Sequence, residues 1–96
     1  AYIPADISVR VRSRDYYVSA ENTVRSFMEG YFGDVRHGTD RSQLLRELSS
    51  LPGITAVSGL SIRCSGSETV RLPDGSVSAP EWCRLYLRKL EVVCEE

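Results

Sequence analysis

Ile7, Val9 and Val11 alternate with Ser8, Arg10 and Arg12. A period of two marks a strand with one face buried, and it predicts a strand over residues 5–13. Arg10, Arg12 and Arg14 then share its outward face. Further on, Ala20, Val24, Phe27, Met28 and Tyr31 recur at helical spacing. They form one apolar stripe of a helix expected over about residues 20–32. Ser19 is placed as its N-cap, Glu21 sits in the first turn, and Gly33 ends it.

Residues 34–39 form a loop. Asp40 reads as the cap of a second helix, and Gln43 three positions on completes a capping-box pattern. Leu44, Leu45, Leu48 and Leu51 make the apolar side of that helix, and Pro52-Gly53 terminates it. A strand is expected over Ile54–Cys64, where Gly59 interrupts the alternation and marks a bulge or bend. Pro73-Asp74-Gly75 is a turn signal, so residues 68–79 are expected to form a β-arm, limited by Pro80. The last strand spans 84–94. Leu85 and Leu87 share one parity, and Leu90, Val92 and Cys94 share the other, so a second bulge is expected near Lys89.

The expected order is β-α-α-β-(β-arm)-β. Two apolar helical stripes need a common surface, and the strands supply it. The fold class is therefore α+β: a small two-layer sandwich with both helices on one face of a mainly antiparallel sheet, ferredoxin-like in style. The 96 residues suit a single domain, 1–96. The chain starts with Ala1 rather than Met, and we expect a fragment of a longer protein. No apolar run approaches the roughly 20 residues of a membrane-spanning helix.

Charge changes this picture in one respect. The formal net charge is −1, which argues against general nucleic-acid binding. Yet of the 12 basic residues only Lys89 is a lysine. Codon usage of a GC-rich genome accounts for that, and so does a surface that pairs with carboxylates or phosphates through the guanidinium fork. Cys64, Cys83 and Cys94 are odd in number and contain no CxxC pair, so no zinc site is expected. Cys64 and Cys94 fall on the apolar side of their strands, which suggests buried thiols and a reducing compartment.

No catalytic constellation emerges. His37 lies in a Gly-flanked loop, no cysteine has a neighbour that marks it as a nucleophile, and Ser65-Gly66-Ser67 lacks the ending of a phosphate loop. We therefore expect no enzyme activity, no cofactor and no metal. The row Arg10, Arg12, Arg14 invites comparison with RNA-binding sheets, but only Tyr86 among the outward positions offers a stacking ring. Tyr16, Tyr17 and Trp82 are the candidate exposed aromatics of a binding hot spot. For Trp82 the competing reading is a ring that closes the bottom of the core. Arg10, Arg12, Arg14, Tyr16, Tyr17, Asp74 and Trp82 make up the expected partner-binding set.

The run Gly38-Thr39-Asp40-Arg41-Ser42-Gln43-Leu44-Leu45, continuing through Leu51-Pro52-Gly53-Ile54-Thr55-Ala56-Val57, carries a resemblance, together with the preceding helix ending in Tyr31-Phe32. The pattern resembles the C-terminal α+β domain of the baseplate J-like family, wedge components of contractile phage tails and related injection systems. It covers about residues 5–64; the Pro73-Asp74-Gly75 arm and Trp82-Cys83 lie outside it. The resemblance implies a structural role, with other baseplate proteins or further copies as partners. It also implies assembly in the cytoplasm and residence in the virion tail or injection particle. Two alternatives remain open from the residues themselves. One is a ligand-sensing ferredoxin-like module using the turn at Pro52-Gly53; the other is a small RNA-binding domain.

Overall fold

The computed structural model describes residues 2–14, 17–34 and 36–95, with the side chains of Tyr17 and Val18 excepted. A long first strand, β1 (Tyr2–Ser13), leads into helix α1 (Tyr17–Gly33). A two-residue strand β2 (Gly38–Thr39) precedes α2 (Arg41–Ser49) and β3 (Ile54–Cys64). Two further short strands follow, β4 (Val70–Arg71) and β5 (Val77–Ser78), and then β6 (Arg84–Glu95). The result is a small α+β molecule with two helices and a mixed three-stranded sheet, β3-β1-β6.

The alternation in β1 decides which face is covered. Ile3, Ala5, Ile7, Val9 and Val11 are buried, and the residues between them are half-buried or exposed. The buried row joins Val24 and Met28 of α1, Leu44 and Leu48 of α2, and Leu60, Ile62 and Leu85 of the flanking strands in one core. Both helices thus lie on the same face of the sheet, α1 against β6 and α2 against β3. No helix among the described residues is long and apolar enough to cross a membrane.

Several expectations are corrected. The sheet is mixed rather than mainly antiparallel: β1 pairs antiparallel with β3 but parallel with β6. The reason is the path of residues 65–83. Cys64 of β3 lies opposite Ala5, and Arg84 of β6 opposite Tyr2, so the chain leaves β3 and enters β6 at the same end of β1. The expected β-arm is a hairpin tied down to the molecule. β4 and β5 pair around the turn, and β5 also pairs with β2 to complete a second sheet, β2-β5-β4. Val77 is buried there.

Ser19 is not a cap, because α1 already begins at Tyr17; Thr23 Oγ1 donates to the Ser19 carbonyl at 2.8 Å within the helix. Cys64 and Cys94 are half-buried, and it is Cys83 that is fully buried. Partial burial still pushes both the Cys64 and Cys94 thiols above their ordinary value, by desolvation first.

The two expected bulges fall where parity breaks, and a further register shift lies between Arg12 and Ser13, where Thr55 is the extra residue of β3. Arg10 lies opposite Gly59 and Val11 opposite Val57, so Ser58 is the extra residue of β3. Ala5 lies opposite Leu87 and Asp6 opposite Lys89, so Arg88 is the extra residue of β6.

Candidate interaction surface

The face of the sheet away from the helices is open. Its rows follow from the register, since side-by-side residues point the same way. Asp6 lies between Arg63 of β3 and Lys89 of β6, and Ser8 between Ser61 and Glu91. Arg10 lies between Gly59 and Val93, and Arg12 between Ala56 and Glu95. Across the middle of this face runs a shallow depression of about 350 Å³, lined by Asp6, Ser8, Ser61, Arg63, Lys89 and Glu91.

The bulge in β6 has a direct consequence here. Arg88, displaced from the regular alternation, reaches Asp6 with two parallel bonds, Nε–Oδ1 at 2.9 Å and Nη2–Oδ2 at 2.6 Å. A fork matched to a carboxylate in this way is the strongest geometry for the pair. The hydrogen bond from Arg88 holds the Asp6 carboxyl below the ordinary carboxylate value, and the nearby charges of Lys89 and Arg63 add to it. At the far end of the face, Glu95 meets Arg10 at 3.8 Å and accepts a hydrogen bond from the bulge residue Ser58. The aliphatic stem of Arg10 lies over Gly59, whose hydrogen leaves room for it.

The opposite end is aromatic. Tyr2 and Tyr86 meet edge to face with ring centroids 6.3 Å apart, and the Arg84 guanidinium lies 5.9 Å from the Tyr2 centroid. Tyr2 is 69% exposed and Tyr86 39%.

Of the residues expected to bind a partner, the structure brings Arg10 and Arg12 together on the open face. Arg14 is exposed just beyond the strand, its N–H donating to the Gly53 carbonyl at 3.0 Å. Trp82 is 71% exposed, so its ring does not close the core; the neighbouring Cys83 occupies that place. Tyr16 lies outside the described residues, and of Tyr17 only the backbone in the first turn of α1 is described. Both carboxylate oxygens of Asp74 are engaged within the hairpin turn, accepting from the Ser76 N–H at 2.9 Å and its Oγ at 3.1 Å. Those bonds hold the Asp74 carboxyl below its ordinary value. Ser76 Oγ in turn accepts from the Arg41 N–H at 2.9 Å, which ties the hairpin to the start of α2.

Tyr2, Arg63, Arg88 and Glu91 escape the reading of the sequence. Tyr2 precedes the predicted strand, and the partners of Asp6 are visible only once β3 and β6 are laid in register. His37 is exposed, and its Nδ1 lies 2.7 Å from the Cys83 carbonyl. A carbonyl only accepts, so Nδ1 carries the proton. Among the described residues no three His, Cys, Asp or Glu side chains cluster. The open face presents cations, carboxylates, hydroxyls and two tyrosine rings. No protein-family model matches the chain, and no curated protein matches it.

Proposed function

We propose that the chain is a non-catalytic assembly domain of a contractile-tail baseplate, of the baseplate J-like kind, which acts through protein–protein contacts. The observation that supports this best is the uncovered sheet face. A three-stranded sheet with helices on one side only leaves a broad surface of arginines, carboxylates and paired tyrosines, and of these arginine and tyrosine are enriched where proteins meet. The Leu51-Pro52-Gly53-Ile54 turn belongs to the run on which the resemblance rests; in it Gly53 adopts φ +82° and Ile54 re-enters the core. We read the two-helix layer over the sheet as ferredoxin-like in style. On this reading the domain assembles in the cytoplasm and ends in the tail or injection particle, with other baseplate proteins as partners.

The test has two arms. The parent gene is expected beside genes for sheath, tube and other baseplate proteins. The chain, co-expressed with the products of those genes, is expected to elute with at least one of them in size-exclusion chromatography with light scattering. A parent gene in an unrelated setting, or elution alone with every neighbour tried, sinks the proposal.

A further inference from the structure

We infer that the open sheet face docks an acidic surface of a partner protein, with Arg12, Arg63 and Lys89 as the groups that receive its carboxylates. This rests on the assembly reading above and names the chemistry of the partner. The inference comes from counting which charges on the face are already satisfied. Asp6 is held on both oxygens by Arg88, and Glu95 by Arg10 and Ser58. The Arg84 guanidinium lies over Tyr2. Arg12, Arg63 and Lys89 have no ion-pair partner among the described residues, and Glu91 is the one carboxylate of the central rows left to oppose them. The face carries surplus positive charge although the chain as a whole is −1.

The surplus straddles the depression. Arg63 stands on the β3 side of Asp6 and Lys89 on the β6 side, with the hydroxyls of Ser8 and Ser61 in the next row. Cations set apart on a rigid sheet, with hydroxyls between them, suit separate carboxylates on a second surface. Guanidinium forks such as those of Arg12 and Arg63 match a carboxylate bidentately. Asp6 and Glu91 line the same depression and oppose any anion set against them, so a phosphodiester chain, charged at every unit, fits less well than separate carboxylates placed to meet Arg63 and Lys89. Protein surfaces mix signs in this way, and complementary charge between them sets approach and register.

The probe is a fluorescently labelled glutamate peptide of about ten residues, compared with a uridine oligonucleotide of about the same charge, both titrated by the intact chain at low and high salt. The peptide is expected to bind saturably and to weaken steeply with salt, because the contacts are solvent-exposed. Arg63→Ala combined with Lys89→Ala is expected to weaken it about tenfold or more. Arg46→Ala, on the exposed side of α2, is expected to leave it unchanged. Far-ultraviolet circular dichroism and melting curves confirm that each variant is folded. Absence of saturable peptide binding, equal weakening by Arg46→Ala, or tighter binding of the oligonucleotide overturns the inference. The assembly reading then still has its own test in gene setting and co-elution.

Discussion

At Gly38 a single added carbon decides whether the small sheet can close. A Cβ there would lie 2.7 Å from the Val77 carbonyl oxygen, a backbone atom that cannot swing aside. Gly38→Ala should therefore force β2 and β5 apart, at a cost of about 1–3 kcal/mol in urea unfolding. An unchanged midpoint would show that the two strands do not need this approach. The signal for Gly38 was absent from the sequence, because its crowding comes from Val77, distant along the chain. Asp40 was legible for the opposite reason. Its Oδ1 accepts from the Gln43 N–H at 3.1 Å, a contact internal to the motif. Asp6 sets a pH dependence. Its carboxyl titrates below its ordinary value near 3.8 in the folded chain, as does that of Asp74. A depressed pKa means that the unfolded state takes up protons first as pH falls. The stability due to both groups is thus fully present above about pH 4 and is lost as pH drops through the folded values. Asp6→Asn should flatten the acid limb of the stability profile, measured by melting temperature between about pH 2 and 6, and a profile identical to that of the parent would remove Asp6 as a contributor.

The helices show how far local pattern reaches at the scale of an element. α2 is short, and so it depends on its ends and its buried side. Leu44 and Leu48 are fully buried, Asp40 caps the start, and the Ser50 N–H closes the last turn on the Glu47 carbonyl at 3.2 Å. Asp40→Ala should cost about 1 kcal/mol and Asp40→Asn much less, since Asn also accepts from the third residue's N–H. Leu44→Ala should cost about 2–5 kcal/mol, because it opens a cavity between α2 and β3. Denaturant titration of the three variants checks the order, and a larger loss for the cap than for the core would contradict it. The bulges at Ser58 and Arg88 were readable because a strand with one buried face cannot absorb an extra residue silently, whereas the shift at Thr55, near the start of β3, left no such mark. The break between Leu87 and Leu90 announced Arg88; the break at Gly59 announced Ser58 beside it. What Arg88 does with its displaced side chain was not readable, since Asp6 is 82 positions away. α1 begins earlier than its apolar stripe suggests, as Ser19 is already within its first turns. A polar residue ahead of an apolar stripe looks the same whether it caps a helix or continues one.

For the whole molecule, the fold class and the shared helical face follow from periodicity, but the placement of β6 does not. Residues 65–83 signal a turn and a short β-arm, and these are equally compatible with a return alongside β3 or a passage to the far side of β1. The structure takes the second path, and the cause lies in contacts far apart in sequence. The Leu85 N–H donates to the Arg36 carbonyl at 2.9 Å and the Ala79 N–H to the His37 carbonyl at 2.7 Å, which anchors the crossing at the end of α1. Ser76 fastens the same segment to Arg41. With β1 in the centre, its backbone is bonded on both sides, and the open face takes its rows from all three strands. The crossing segment therefore builds both the core and the surface. Replacing residues 65–83 by Asn-Gly joins Cys64 to Arg84 through a tight hairpin turn, and such a turn can only join antiparallel neighbours. β6 would then be held next to β3 and could not reach the free side of β1. The shortened chain is expected to lose cooperative thermal unfolding and to bind a hydrophobic dye, because Ile3, Ala5 and Leu85 would lose their shared burial. A shortened chain that keeps a sharp melting transition and the parent's pattern of slowly exchanging β1 amides would show that β6 finds its parallel place without the crossing.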